Sequence, residues 1–122
     1  METDPWGLVI RCAEAVWAVK VRQHSELLAH EGAIRATLRD PHQVLDDPHS
    51  TAKLEPRSGV SGAVRHYVGV GRTTGLYAGC VVDIVVKVLR DPVTEHAIGY
   101  VQTAFLTRRL SPRLHLQWSR QQ

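Results

Sequence analysis

The runs CVVDIVVKVL (Cys80–Leu89) and IGYVQTAFL (Ile98–Leu106) decide how this chain folds. Both are rich in β-branched and aromatic residues, which pack well on a pleated surface. Asp91-Pro92 lies between them and turns the chain. The first run alternates only in part, so the strand expected over Leu76–Leu89 reads as central and covered on one or both faces. Working outward, Arg65–Val70 (RHYVGV) reads as the strand before it. GRTTG (Gly71–Gly75), with glycine at both ends, reads as the turn that joins the two. The second half is therefore a β-meander.

The first half reads differently. Leu8–Ile10 is a short apolar run suited to a first strand. Ala13, Trp17, Val21, His24 and Leu28 then recur at steps of three and four, which is one face of a helix. Gly32 interrupts that pattern, and a second short helix is expected over Ala33–Leu38. Asp40-Pro41 ends it, because a residue before proline is pushed out of the helical region. Gln43–Leu45 reads as a brief strand. Asp46–Ala63 (DDPHSTAKLEPRSGVSGA) holds two prolines, two glycines and three serines and reads as a long functional or mobile loop. The expected fold is α+β, with N-terminal helices packed on one face of a small antiparallel sheet of three or four strands. One domain is expected over residues 1–122, with a core from about residue 8 to residue 110 and a basic tail over 107–122.

The formal charge of +3 is unevenly spread. Arg108, Arg109, Arg113 and Arg120 give the stretch after Phe105 a charge of +4 with no acid, leaving −1 for the first 105 residues. Such local basicity suits an anionic partner, or simply solubilises a tail. Cys12 and Cys80 sit among apolar neighbours and read as buried free thiols in a reducing cytoplasm. The opening METDPWG lacks a signal-peptide pattern, and no apolar run reaches bilayer length. A cytoplasmic protein without membrane contact is expected.

Several residues could carry chemistry. His24 lies on the apolar helix stripe, where a packed core histidine is the commoner occupant. An imidazole half-sheltered there could also move a proton near neutral pH. Lys87 shares a strand face with Asp83 and Val85; that face is either solvated or part of a site, where Lys87 would meet phosphate. Arg65 and Tyr67 share a face at a strand start, and Tyr67 could stack on a base or serve as an edge aromatic. Thr103 and Thr107 carry hydroxyls in and at the end of the last strand, although threonine is also a plain strand former. His42, His49, His66, His96 and His115 are scattered, with no ligand spacing, so no metal site is expected. GVGRTTG lacks the Gly-Lys-Ser/Thr ending of a phosphate-binding loop.

The order of segments resembles a known group. Trp17 and His24 enclose six residues, and TLRDPHQVLDD, RHYVGV, VVDIVVKV and VQTAFLTRR follow. This is similar to the small nuclease-like domains of phage and mobile elements grouped with barnase, EndoU, colicin D, colicin E5 and RelE. The likeness spans Trp17–Leu110. His24 matches the helix histidine of that group, Asp40-Pro41 its turn, Tyr67 the aromatic of its second strand and Thr103-Ala104 its terminal motif. Gln23, Ser25, Val19 and Phe105 depart from the arginine, proline, histidine and tyrosine found there.

The resemblance implies metal-independent RNA cleavage by 2′-OH transesterification, with no cofactor. It makes His24 an acid or base, Lys87 and Arg65 phosphate stabilisers and Thr103 an orienting donor. Tyr67, Thr107, Arg108 and Arg109 would hold the RNA, tRNA among the candidates. A toxin with a cognate neutralising protein fits the same group. The departures around His24 favour the alternative, an inactive RNA- or protein-binding module on the same fold.

Overall fold

The computed structural model describes residues 1–54 and 61–120. Among the described residues the chain forms strands β1 (Glu2–Thr3), β2 (Val9–Arg11), β3 (Gln43–Asp46), β4 (Ser61–Gly69), β5 (Val81–Arg90), β6 (Ala97–Thr107) and β7 (His115–Ser119). Helices α1 (Glu14–Gln23), α2 (Glu26–Ala29), α3 (Glu31–Arg39) and α4 (Pro48–Ala52) complete it. No described helix is long and apolar enough to cross a membrane.

The expected sheet of three or four antiparallel strands is corrected to one mixed sheet of seven, ordered β1-β2-β6-β5-β4-β3-β7. The expected meander is its centre: β4, β5 and β6 pair antiparallel over nearly their whole length. The difference lies at the margins. β2 joins β6 in parallel through Ile10 opposite Gly99 and Arg11 opposite Tyr100. On the other side β3 pairs with β4, and β7 then covers β3. The strands expected at Leu8–Ile10 and Gln43–Leu45 are β2 and β3, while β1 and β7 hold too few alternations to announce themselves. They form because the meander leaves unpaired backbone groups along both of its edges.

Further local expectations change. β5 begins at Val81, and Gly75–Tyr77 forms a single 3-10 turn before it. The supposed long loop holds the end of β3, helix α4 and the start of β4. Residues 55–60 of it lie outside the described residues. The supposed basic tail contains β7. The first helix stops at Gln23, and His24 is its C-cap, with a non-helical backbone. That break shifts the helical phase, so Leu27 is fully buried whereas Leu28 is exposed. Of the two cysteines, Cys80 is buried and Cys12 exposed.

The core lies between one sheet face and the helices. Val82, Ile84, Val86 and Val88 share that face with Tyr67, Val101 and Ala104, and Leu27, Ile34 and Leu38 close over them. Two glycines allow the layers to approach. A Cβ at Gly69 would run into the Thr37 side chain of α3, and one at Gly99 would lie 3.1 Å from both Ile10 and Val86.

Candidate functional site

On the opposite face of the sheet, the β4 side is covered and the β5–β6 side is open. Arg11, Tyr100 and Lys87 stand opposite one another on β2, β6 and β5, and residues in register share a face. Tyr100 is 38% exposed, and the row reads cation, aromatic, cation. One row along, Thr103 pairs with Val85, and beyond it Phe105 pairs with Asp83. Between Val85 and Val86 the register shifts and leaves Gln102 as an extra residue in β6. This is a β-bulge beside Thr103, and bulges recur next to active sites because they re-aim side chains.

His24 stands at the end of this patch. Its ring meets Phe105 edge-on with centroids 6.4 Å apart, and its Nδ1 lies 3.7 Å from a Glu26 oxygen. The break after α1 is what carries it there. Val101–Thr107 pairs only with β5 among the described residues, so His24 sits at a free sheet edge. Thr103 also borders a cavity of about 240 Å3 under α1, with Trp17 and Leu27.

The structure places Lys87 and Thr103 on one face in successive rows, sets His24 against Phe105 at the edge of β6, and puts Arg65 on the other face. Arg65 pairs with Val86, so its side chain is on the face opposite Lys87. Tyr67 is fully buried, and its hydroxyl donates to Asp4 Oδ2 at 2.7 Å. Burial, then the hydrogen bond and charge of Asp4, push its hydroxyl well above the ordinary tyrosine range. It is a core residue, out of reach of a base. Thr107 Oγ1 donates to the Arg109 carbonyl at 2.8 Å and so shapes the turn after β6. Arg108 and Arg109 follow it and make no ion pair among the described residues.

The sequence reading passed over a second constellation. His66 is 6% exposed and lies between two buried carboxylates. Its Nδ1 is 2.8 Å from Asp83 Oδ1, and its Nε2 is 3.2 Å from Asp47 Oδ2. Asp47 also accepts from Ser50 N at 3.0 Å, Ser50 Oγ at 2.7 Å and Arg113 at 3.1 Å. Burial alone would lower the His66 pKa; the hydrogen bond and charge of Asp83, backed by Asp47, outweigh it and raise it. Burial would likewise raise Asp47, but the Ser50, Arg113 and His66 hydrogen bonds hold it well below the usual carboxylate range. Every member is satisfied by another, so the cluster ties α4, β4, β5 and the segment before β7 together. Two signals for it were present in the sequence. Asp47-Pro48 with Ser50 is a helix start, and His66 and Asp83 fall on neighbouring strands.

No protein-family model, curated protein or solved structure matches the chain.

Proposed function

We propose that this protein binds single-stranded RNA on the open β5–β6 face and cleaves it without a metal, His24 moving the proton. The Arg11–Tyr100–Lys87 row is the observation that carries this reading. An exposed ring offers a stacking surface that any base can use, and cations on both sides meet the flanking phosphates. The position of His24 at the edge of the same face, beyond Thr103 and Phe105, supports the cleavage step. His24 would accept the proton of a ribose 2′-OH as that oxygen attacks the adjacent phosphorus. The bond to the 5′-oxygen then breaks, that oxygen takes a proton from water while the protonated His24 later releases its own to solvent, and a 2′,3′-cyclic phosphate remains. Thr103, the nearer of the two to His24, would donate to the phosphoryl oxygens as a neutral group, while Lys87 holds a flanking phosphate.

Arg65 has no part in this scheme, because it faces the other way. The inactive binding module is the second reading, favoured by Gln23 and Ser25, which flank His24 where the resembled group has arginine and proline.

Incubation of an RNA and tRNA pool with EDTA, wild type beside His24→Ala, tests the proposal. Wild-type products should carry 2′,3′-cyclic ends, and the variant should lose about 100-fold or more of the rate. Equal cleavage by a folded His24→Ala protein would remove His24 from the chemistry. Salt-sensitive RNA binding without cleavage would leave the inactive module, and no binding would end both readings.

A further inference from the structure

The helix-bearing face of the sheet is not covered to its end. Beyond the reach of α1, α2 and α3, a cleft of about 590 Å3 opens between the 4–8 loop, the β5–β6 turn and β7. Trp6, Trp118, Arg65, Arg90, Glu95 and His96 line it. Its volume lies within the roughly 300–1,000 Å3 usual for small-molecule sites.

The geometry points to a binding site for a small planar aromatic ligand bearing an anionic group, of the nucleoside monophosphate class. The site is separate from the proposed RNA face and does not depend on that reading. Three features carry it. Trp6 and Trp118 meet edge-on, with centroids 5.0 Å apart and planes at 83°. An edge-on contact leaves the faces of the edge-on ring free of its partner, open to a stacked ligand. Trp6 is 54% exposed, so its ring is accessible to a ligand.

The second feature is charge. Neither Arg65 nor Arg90 is ion-paired among the described residues. Asp4 reaches the cleft but is already engaged. It accepts from Trp6 N at 3.0 Å, Leu8 N at 2.8 Å and the Tyr67 hydroxyl at 2.7 Å. Glu95 at the rim is the other carboxylate. The groups a ligand can reach are therefore Arg65, Arg90, His96 and the rim carboxylate of Glu95, with the Asp4 charge held behind them under its three donors.

Preorganisation is the third. The Asp4 carboxylate is nearly fully buried and holds the loop that presents Trp6. On the opposite wall, Arg90 donates to the Glu95 carbonyl at 3.1 Å, and Glu95 adopts a positive φ of 59°. It is the one non-glycine residue to do so among those described. That conformation closes the β5–β6 turn and fixes this wall of the cleft.

Calorimetric titration with adenosine 5′-monophosphate tests the site, with adenosine and inorganic phosphate as separate probes. Trp6→Ala and Arg90→Ala change exposed side chains, and circular dichroism verifies that each variant folds. Adenosine monophosphate should bind saturably, and each variant should weaken it by about tenfold, the loss of one stacking or charge contact. Tyr100→Ala, on the opposite face, should bind it as the wild type does. Competition by a 5′-phosphorylated RNA oligomer would extend the ligand class to a strand end. No saturable binding, or binding unchanged in both cleft variants, would overturn the proposal. Adenosine binding as tightly as its monophosphate would overturn the anionic half of it.

Discussion

His66 is the residue on which the interior electrostatics turn. An imidazolium donates from both ring nitrogens, and each meets a carboxylate here, at 2.8 and 3.2 Å. Its pKa is raised above 6.5, so its contribution to stability is complete below pH 6.5 and is lost as pH rises through the folded-state value. Asp47 has the opposite sense: its pKa is lowered from 3.8, so its contribution is complete above that value and fades in acid. Thermal melts from pH 4 to 9 should therefore show highest stability between about pH 4 and 6.5, with a decline on the alkaline side. His66→Gln should flatten the alkaline decline and cost about 3–5 kcal/mol at pH 6, because it leaves the buried Asp83 carboxylate without its partner, while Asp47 keeps Ser50 and Arg113. An unaltered pH profile in the variant would remove His66 as the origin of the decline. The Tyr67–Asp4 pair is the other lesson at this scale. A tyrosine readable as a base-stacking group is instead the anchor that carries the N-terminal loop to the cleft.

At the scale of elements, β5 is the axis of the molecule. It has a neighbour on each side over its whole length, and Ile84 at its middle is fully buried between Tyr67 and Ala104. Ile84→Ala should lower stability by about 2–5 kcal/mol, seen as a lower urea midpoint. A smaller loss would mean that the core closes over the gap. α1 is the contrasting case. It has no fully buried residue and rests on half-buried Trp17 and Val21. Its early end, at His24, is what takes the imidazole out of the apolar stripe and to the edge of β6. The bulge at Gln102 acts on the same edge, since one extra residue shifts the facing of everything beyond it.

For the whole molecule, the charge distribution differs from the one suggested by the string of tail arginines. Arg113 is engaged by Asp47 and Arg120 by Asp40, so two of the four hold the C-terminal segment to the body. Arg108 and Arg109 remain, with Arg11 and Lys87 on the open face. Four phosphate contacts predict a log–log slope of binding against salt of about −3 for single-stranded RNA. Tyr100→Ala should weaken RNA binding by about 1–3 kcal/mol while leaving that slope intact, since it removes stacking and no charge. Fluorescence anisotropy over a salt series measures both quantities. A changed slope with unchanged affinity at low salt would contradict the role given to Tyr100.

The meander was legible in the sequence because β4, β5 and β6 are long enough for strand composition to show, and Asp91-Pro92 marks the turn between the last two. α3 was legible from its spacing and from Asp40-Pro41 at its end. What the sequence alone determined is thus the part governed by local preference, where each residue's neighbours along the chain are its decisive environment. The parallel pairing of β2 with β6, the place of β3 in the sheet, the addition of β7, the His66 cluster and the cleft were decided by tertiary structure. Trp6 and Trp118 become neighbours only after two short edge segments have joined opposite sides of the meander. Such pairing depends on unsatisfied backbone at sheet edges and on apolar surface left uncovered, and neither exists until the centre of the sheet has formed.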